Sequence, residues 1–251
     1  MAADEQERSK LVIAYDGTAF KGWAVQPGLR TVEGELLRAL KLALRRDVAL
    51  TVAGRTDTGV HAEAQVASHD GHPATLKALN ALLPPDIAVS VSEQAEPGFC
   101  ARRDATSRAY IYALAVGPVR PVADRTRTVW WAKPVDVELL EACAALLPGQ
   151  HDMTAFTPTQ TLHSYFKPTI LSARWVEVGN RLEFRIEANW FLRHMNRILV
   201  GTMLEVASGE MSLESFAQLL QGASRLDAGP TARPHGLRLV GVGYGEEVFS
   251  S

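Results

Sequence analysis

The residues best suited to chemistry are Gly54-Arg55-Thr56-Asp57-Thr58-Gly59-Val60-His61, a polar stretch between two strand-like segments. Glycine near both ends permits a tight loop, and the polar side chains between them cannot all be buried without partners. Arg55 and Asp57 are two apart, which sets both on one side of an extended segment, and a guanidinium beside a carboxylate favours its ionised form. An ionised carboxylate in a shaped pocket serves as nucleophile or base. The same pair also suits a structural brace across the loop.

Other chemistries find less support. His61-Ala62-Glu63 matches the first element of a zinc nucleobase deaminase, but no Pro-Cys-x-x-Cys follows, so a metal lacks ligands. Gly241-Val242-Gly243-Tyr244-Gly245 lacks the third glycine and the helix of a dinucleotide loop, and there is no phosphate-binding GxxxxGK[ST]. Cys100 and Cys143 are too few for a zinc cluster or disulfide framework and fit reduced thiols in a cytoplasmic protein. No apolar run reaches membrane-spanning length, and the polar first ten residues, read as a frayed tail, carry no secretory segment.

The 251 residues carry 26 Lys and Arg against 28 Asp and Glu, so the net charge of −2 does not advertise a nucleic-acid partner. The distribution does. From Phe99 to Lys133 the basic residues are Arg102, Arg103, Arg108, Arg120, Arg125, Arg127 and Lys133, set against only Asp104 and Asp124. Local basicity with Tyr110, Trp130 and Trp131 nearby is what gripping phosphates and stacking an exposed base require, and it is also what a solvated basic face looks like. Trp130 and Trp131 read as sheet or interface packing sooner than as base platforms.

The elements that must position these residues follow from periodicity and punctuation. Lys10 to Tyr15 is a buried strand ending in the turn signal Asp16-Gly17. Thr31 N-caps a helix running to about Arg46, with Leu36, Leu37, Leu40 and Leu44 at helical spacing. Strands are expected at Val48–Ala53, Ala62–His69, Ile87–Val91 and Ala105–Val116, and a helix at Ala74–Leu83 before Pro84-Pro85. The Pro- and Arg-rich stretch Gly117–Arg127 is the candidate crossing between halves at 1–116 and 117–251. The second half holds a helix at Asp136–Leu147, strands at Ile170–Val178 and Leu182–Ala188 joined by Gly179-Asn180, helices at Phe191–Ala207 and Ser212–Leu220, and a last strand at Leu237–Tyr244. The class is α+β on antiparallel sheet. On the long helix, His194 and Arg197 share one face, suited either to a phosphate or to fixing the helix end.

Taken in order, these residues resemble the bacterial tRNA pseudouridine synthase A family. The match runs through Tyr15-Asp16-Gly17-Thr18, Gly22-Trp23, Thr31-Val32-Glu33, the block Ala53–His61 with Gln65-Val66, Phe99–Arg102 and Ala105–Tyr110. It continues through His151–Phe156, Phe191–Arg197 and Ala228–Ala232. The resemblance implies two related α/β-sandwich halves forming a continuous, mostly antiparallel sheet flanked by helices. It implies a homodimer with a basic cleft that isomerises uridine to pseudouridine in the tRNA anticodon stem-loop, without metal or organic cofactor and with no membrane attachment. The family's catalytic aspartate falls on Asp57, its active-site arginine on Arg55 and its uracil-contacting tyrosine on Tyr110; Arg102, Arg108, Arg193, His194 and Arg197 are the candidates for gripping RNA. Ala24, Val25 and Asn196 depart from the family pattern, as does the stretch Thr157–Pro168. Other readings of the same residues are a related synthase serving another RNA or a C-nucleoside pathway, a non-catalytic RNA-binding module, and, more remotely, a glycosidase using Asp57 and Glu63.

Overall fold

The computed structural model describes residues 7–161 and 164–249; positions 1–6 of the frayed tail expected over the first ten residues lie outside them, as do residues 162–163 of the atypical stretch, while Arg8–Lys10, expected in that tail, already belong to the first strand. In chain order the elements are β1 (Arg8–Tyr15), α1 (Val32–Leu44), β2 (Thr51–Val52), β3 (His61–Asp70), α2 (Leu76–Leu82), β4 (Ile87–Ala95) and β5 (Ser107–Val116). They continue with β6 (Val129–Trp131), α3 (Val137–Ala145), β7 (Gly149–Gln150), β8 (Thr169–Val178), β9 (Arg181–Ala188), α4 (Met195–Ala207), α5 (Leu213–Leu219) and β10 (Leu237–Gly243). Strands with flanking helices bear out the α+β class. No helix among the described residues is long and apolar enough to cross a membrane.

The chain forms two compact units, the first made of Met1–Arg108 with Arg238–Glu246 and the second of Ala109–Leu237 with Glu247–Ser251. The division therefore falls inside β5, not at the Pro- and Arg-rich stretch after residue 116, and the last strand returns to the first unit. Composition marks exposed connections, whereas this division is set by which distant segments pair.

In the first unit the strand order is β4-β1-β3-β10, with β2 also paired to β3. β1 is antiparallel to both neighbours, while β10 runs parallel to β3, with Arg238 opposite His61 and Leu239 opposite Ala62. β1 alternates as a strand with one buried face should, burying Ser9, Leu11, Ile13 and Tyr15. The opposite face carries a second small core in which Ala53, Val66 and Ala101 pack with Val12, Phe99, Ala105, Val242 and Tyr244. α1 starts where Thr31 accepts from the Gly34 N–H, has Glu33 and Glu35 in its first turn, and ends at Arg45 in the left-handed region. Leu36 and Leu40 of its apolar stripe are buried, Leu37 and Leu44 only half so. β2 is shorter than the strand expected at Val48–Ala53, and β1 is longer, beginning at Arg8.

In the second unit the order is β5-β9-β8-β7, with β6 parallel to β5. The β8–β9 hairpin closes with Val178 opposite Arg181 through Gly179, whose φ of 61° suits glycine, and Asn180. Asp136 and Ser212 cap α3 and α5 with their side chains. α4 is buried along most of its length, and the segment Ala228–Ala232 lies against it: a Cβ on Gly201 would sit 1.8 Å from the Pro230 oxygen, and Gly229 N–H donates to Thr202 Oγ1 at 3.1 Å.

An ion pair fixes the loop that precedes α1 to the start of β4. Arg30 grips Asp86 with both terminal nitrogens, at 2.7 and 2.8 Å, while its guanidinium lies over the Phe20 ring at 4.2 Å. Arg30 holds the Asp86 carboxyl below its ordinary range, so the folded chain releases that proton more readily than the unfolded one. The stabilisation is therefore present at neutral pH and lost as the pH falls through and below the ordinary carboxylate range. Because the pair is partly exposed, Asp86→Asn is expected to cost about 1 kcal/mol or less near pH 7. Urea midpoints measured from pH 7 down to acid should show that difference vanishing.

Candidate active site

Asp57 is half-buried in the loop between β2 and β3. The loop leaves β2 at Ala53 and re-enters the sheet at His61 after a turn in which the Val60 N–H donates to the Asp57 carbonyl at 3.2 Å. Gly59, with φ of 78°, takes the turn position that disfavours a side chain. Exposure alternates along the loop: Arg55 is exposed, Thr56 buried at 7 % and Asp57 between them.

Partners from the rest of the unit hold the loop at Gly54, Thr56 and His61. Thr56 Oγ1 lies 2.7 Å from the Tyr15 hydroxyl, and the Thr56 carbonyl accepts from the Trp23 N–H at 3.1 Å. Gln65 Nε2 donates to the Gly54 carbonyl at 2.7 Å and also reaches the Tyr15 hydroxyl at 3.4 Å. At the far end, His61 Nδ1 meets the Gly17 N–H at 3.0 Å and lies 3.2 Å from Asp16 Oδ1. Burial pushes the Tyr15 phenol up to about 12, with the bonds to Thr56 and Gln65 opposing the shift. Tyr15 is thus neutral throughout the physiological range.

Glycines let the chain around Gly17 approach this closely. A Cβ on Gly17 would stand 2.0 Å from the Val60 oxygen, and one on Gly22 would meet the Thr56 oxygen at 3.0 Å, at a φ of 88°. Sequence reasoning gave Tyr15, Gln65 and Gly17 no role of their own. A glutamine inside a strand, buried on a face that must satisfy its amide, was the available signal.

The predicted site residues fall into distinct groups. Arg55 is exposed and makes no ion pair among the described residues, so the expected brace between Arg55 and Asp57 is corrected. The two-residue spacing does place both outside Thr56, but the longer arginine extends into solvent. Arg102 is also exposed. Arg108 is not: it is 8 % exposed, and its guanidinium is engaged with the carbonyls of Ala53, Arg102 and Ala105, so its assignment to the RNA surface is corrected too. Arg103, in the same loop, bonds Asp104 at 2.7 Å and holds that carboxyl low.

In the second unit, Tyr110 lies on β5 with its ring edge-on to Phe191, centroids 5.2 Å apart at 86°. Arg193 is exposed just before α4, and His194 takes the N-cap position with a φ of 61° and no side-chain cap bond. Arg197 Nε donates to the Ala232 carbonyl at 2.8 Å and the Ala232 N–H returns to the Arg197 carbonyl at 3.0 Å, so this arginine is tied to the Ala228–Ala232 segment. Trp130 is a packed residue, with Nε1 donating to Gly117 at 2.8 Å and Arg120 lying over the ring at 4.7 Å.

Comparison with known proteins places the chain in a class. A family model described as tRNA pseudouridine synthase matches residues 143–245. A protein named tRNA pseudouridine synthase A from Neisseria gonorrhoeae is 39% identical over 97% of this chain and 94% of its own length. Its namesakes from a Geobacillus species and from Chromobacterium violaceum are 38% and 39% identical, over 95% and 96% of this chain and 98% and 94% of theirs. Among solved structures, a chain of a Cbf5-Nop10-Gar1 complex aligns over 94% of this chain and 59% of its own, at 11% identity and a TM-score of 0.38. The chain belongs to the tRNA pseudouridine synthase A family and is an isomerase that forms pseudouridine from uridine.

Tyr15→Phe removes the partner of a buried hydroxyl and is expected to destabilise the chain by about 1–2 kcal/mol. Since the folded phenol ionises at about 12 against an ordinary 10.0, the part of the stability that Tyr15 contributes is lost as pH rises across that interval. Urea titrations at pH 8 and above should show the variant lacking that share of the alkaline loss.

Proposed function

We propose that this chain isomerises uridine in the anticodon stem-loop of tRNA, at roughly positions 38 to 40, extracting the base from its stack to reach it. Asp57 is the essential carboxylate. The observation that carries this reading is the loop itself, which fixes a half-buried Asp57 between glycines through Thr56, Gly54 and His61. A loop that served only to connect two strands would have no need of so many fixed partners.

The reaction breaks the bond from C1′ to N1, turns the uracil and forms a bond from C1′ to C5. The C5 proton departs and a proton is taken up at N1, so the product is an isomer and no oxidant is consumed. Asp57 assists either by attacking a carbon of the nucleotide or by removing a sugar proton. Tyr110 stacks on the uracil while it turns, and its hydroxyl helps remove the C5 proton. Water must be kept from C1′ meanwhile, because its attack there would release the base. The exposed cations Arg55, Arg102 and Arg193 meet the RNA backbone, and their phosphate contacts offset the few kcal/mol of unstacking. His194 and Arg197, at the head of α4, complete the same grip. The working form in this proposal is a cytoplasmic homodimer.

Transcribed tRNA tritiated at uridine C5 should release tritium with the wild-type protein and not with Asp57→Ala or Asp57→Asn. Equal release by wild type and Asp57→Ala would remove the carboxylate from the mechanism. Tyr110→Phe keeps the ring and loses the hydroxyl, and should lower the maximal rate by at least about tenfold with tRNA affinity nearly unchanged. Arg102→Ala should weaken tRNA binding and reduce the slope of log affinity against log salt by about 0.7–1.

A further inference from the structure

Arg108 lies at the start of β5, within the first unit, where two loops meet one guanidinium. Nε and Nη2 both donate to the Ala53 carbonyl, at 3.1 and 2.7 Å. Nη1 donates to the Ala105 carbonyl and Nη2 to the Arg102 carbonyl, each at 3.0 Å. Ala53 is the residue from which the Asp57 loop departs. Arg102 and Ala105 belong to the bend that carries the exposed Arg102 side chain.

These bonds are charge-assisted, and a buried cation deprived of them would be costly, so guanidinium and carbonyls constrain one another. The planar fork fixes the three carbonyls in direction as well as distance, which the single ammonium of lysine cannot do. The bend is secured on its other side too. Tyr244 donates its hydroxyl to the Ala101 carbonyl at 2.8 Å, and the Ala101 N–H donates to Ser68 Oγ at 3.1 Å.

We infer that Arg108 is a positioning residue that couples the bend at 99–106 to the Asp57 loop, so that RNA held at Arg102 sets the placement of the carboxylate. Arg108 itself does not touch the RNA. This rests on the synthase reading above.

The test compares Arg108→Lys, Arg108→Gln and Tyr244→Phe with wild type. Single-turnover tritium release gives the maximal rate, filter binding at two salt concentrations gives tRNA affinity, and amide hydrogen exchange without RNA reports on the loops. The Arg108 variants should lose about 10- to 100-fold in maximal rate, as a small misplacement of a reacting group does. Affinity and its salt dependence should stay within about twofold of wild type, in contrast to an arginine that neutralises a phosphate. Exchange should accelerate in residues 53–61 and 99–106 together while β1 stays protected. Tyr244→Phe, which loosens only the bend, should show the same pattern more weakly, and it carries the test if the Arg108 variants do not fold.

Weakened binding with a salt slope reduced by about 0.7–1, at an unchanged maximal rate, would make Arg108 a phosphate contact and overturn the inference. Unchanged exchange in residues 53–61 would overturn it as well. If wild type releases no tritium, the synthase reading fails, and the exchange measurement still decides whether Arg108 couples the loops.

Discussion

A polar loop can lie against a sheet only where its peptide groups and hydroxyls meet partners that the fold already holds in place. Between Ala53 and His61 this condition is met at four residues: Arg108 at the Ala53 carbonyl, Gln65 at Gly54, Tyr15 and Trp23 at Thr56, and Gly17 at His61. The rest of the site depends on that satisfaction. Thr56 is fixed through its side chain and its carbonyl, and the Asp57 carbonyl itself accepts from the Val60 N–H, so the backbone that carries the carboxylate is held. In the proposed mechanism, ordering of this kind lowers the entropy cost of bringing Asp57 to its target.

The same constraint explains the glycines around the loop. Gly17 and Gly22 sit where the β1 end and the Asp57 loop pass within a Cβ of one another. Any side chain there would force apart the chain that supplies Trp23 N–H and Gly17 N–H, and with it the bonds to Thr56 and His61. On the second unit an analogous closeness governs α4, where Gly201 admits the Pro230 carbonyl and Arg197 ties the end of that strap. Close packing of backbone on backbone, rather than bulk of side chain, shapes both neighbourhoods.

Charge is sorted by partner, not by its position in the chain. Arg108 spends its charge on carbonyls, Arg30 on Asp86, and Arg103 on Asp104, while Arg55, Arg102 and Arg193 keep theirs at the surface. A net charge of −2 is therefore no obstacle to a nucleic-acid substrate, since cations remain at the surface.

Local signals were legible in the sequence. Thr31, Asp136 and Ser212 announced helix starts because a capping side chain bonds its own next turn, and Gly179-Asn180 announced a hairpin because the turn is made by those two residues. The block from Gly54 to His61 stood out because its polarity conflicted with the strands around it. What the sequence could not decide was direction: whether Arg108 turned inward or outward, whether Arg55 met Asp57 or solvent, and that β10 would return to lie beside β3. An arginine is the same letter in either setting, and its surroundings are supplied by segments up to 55 positions away, as Ala53 is from Arg108. Contacts across such separations are fixed by the packing of the whole sheet, and only the folded chain contains them.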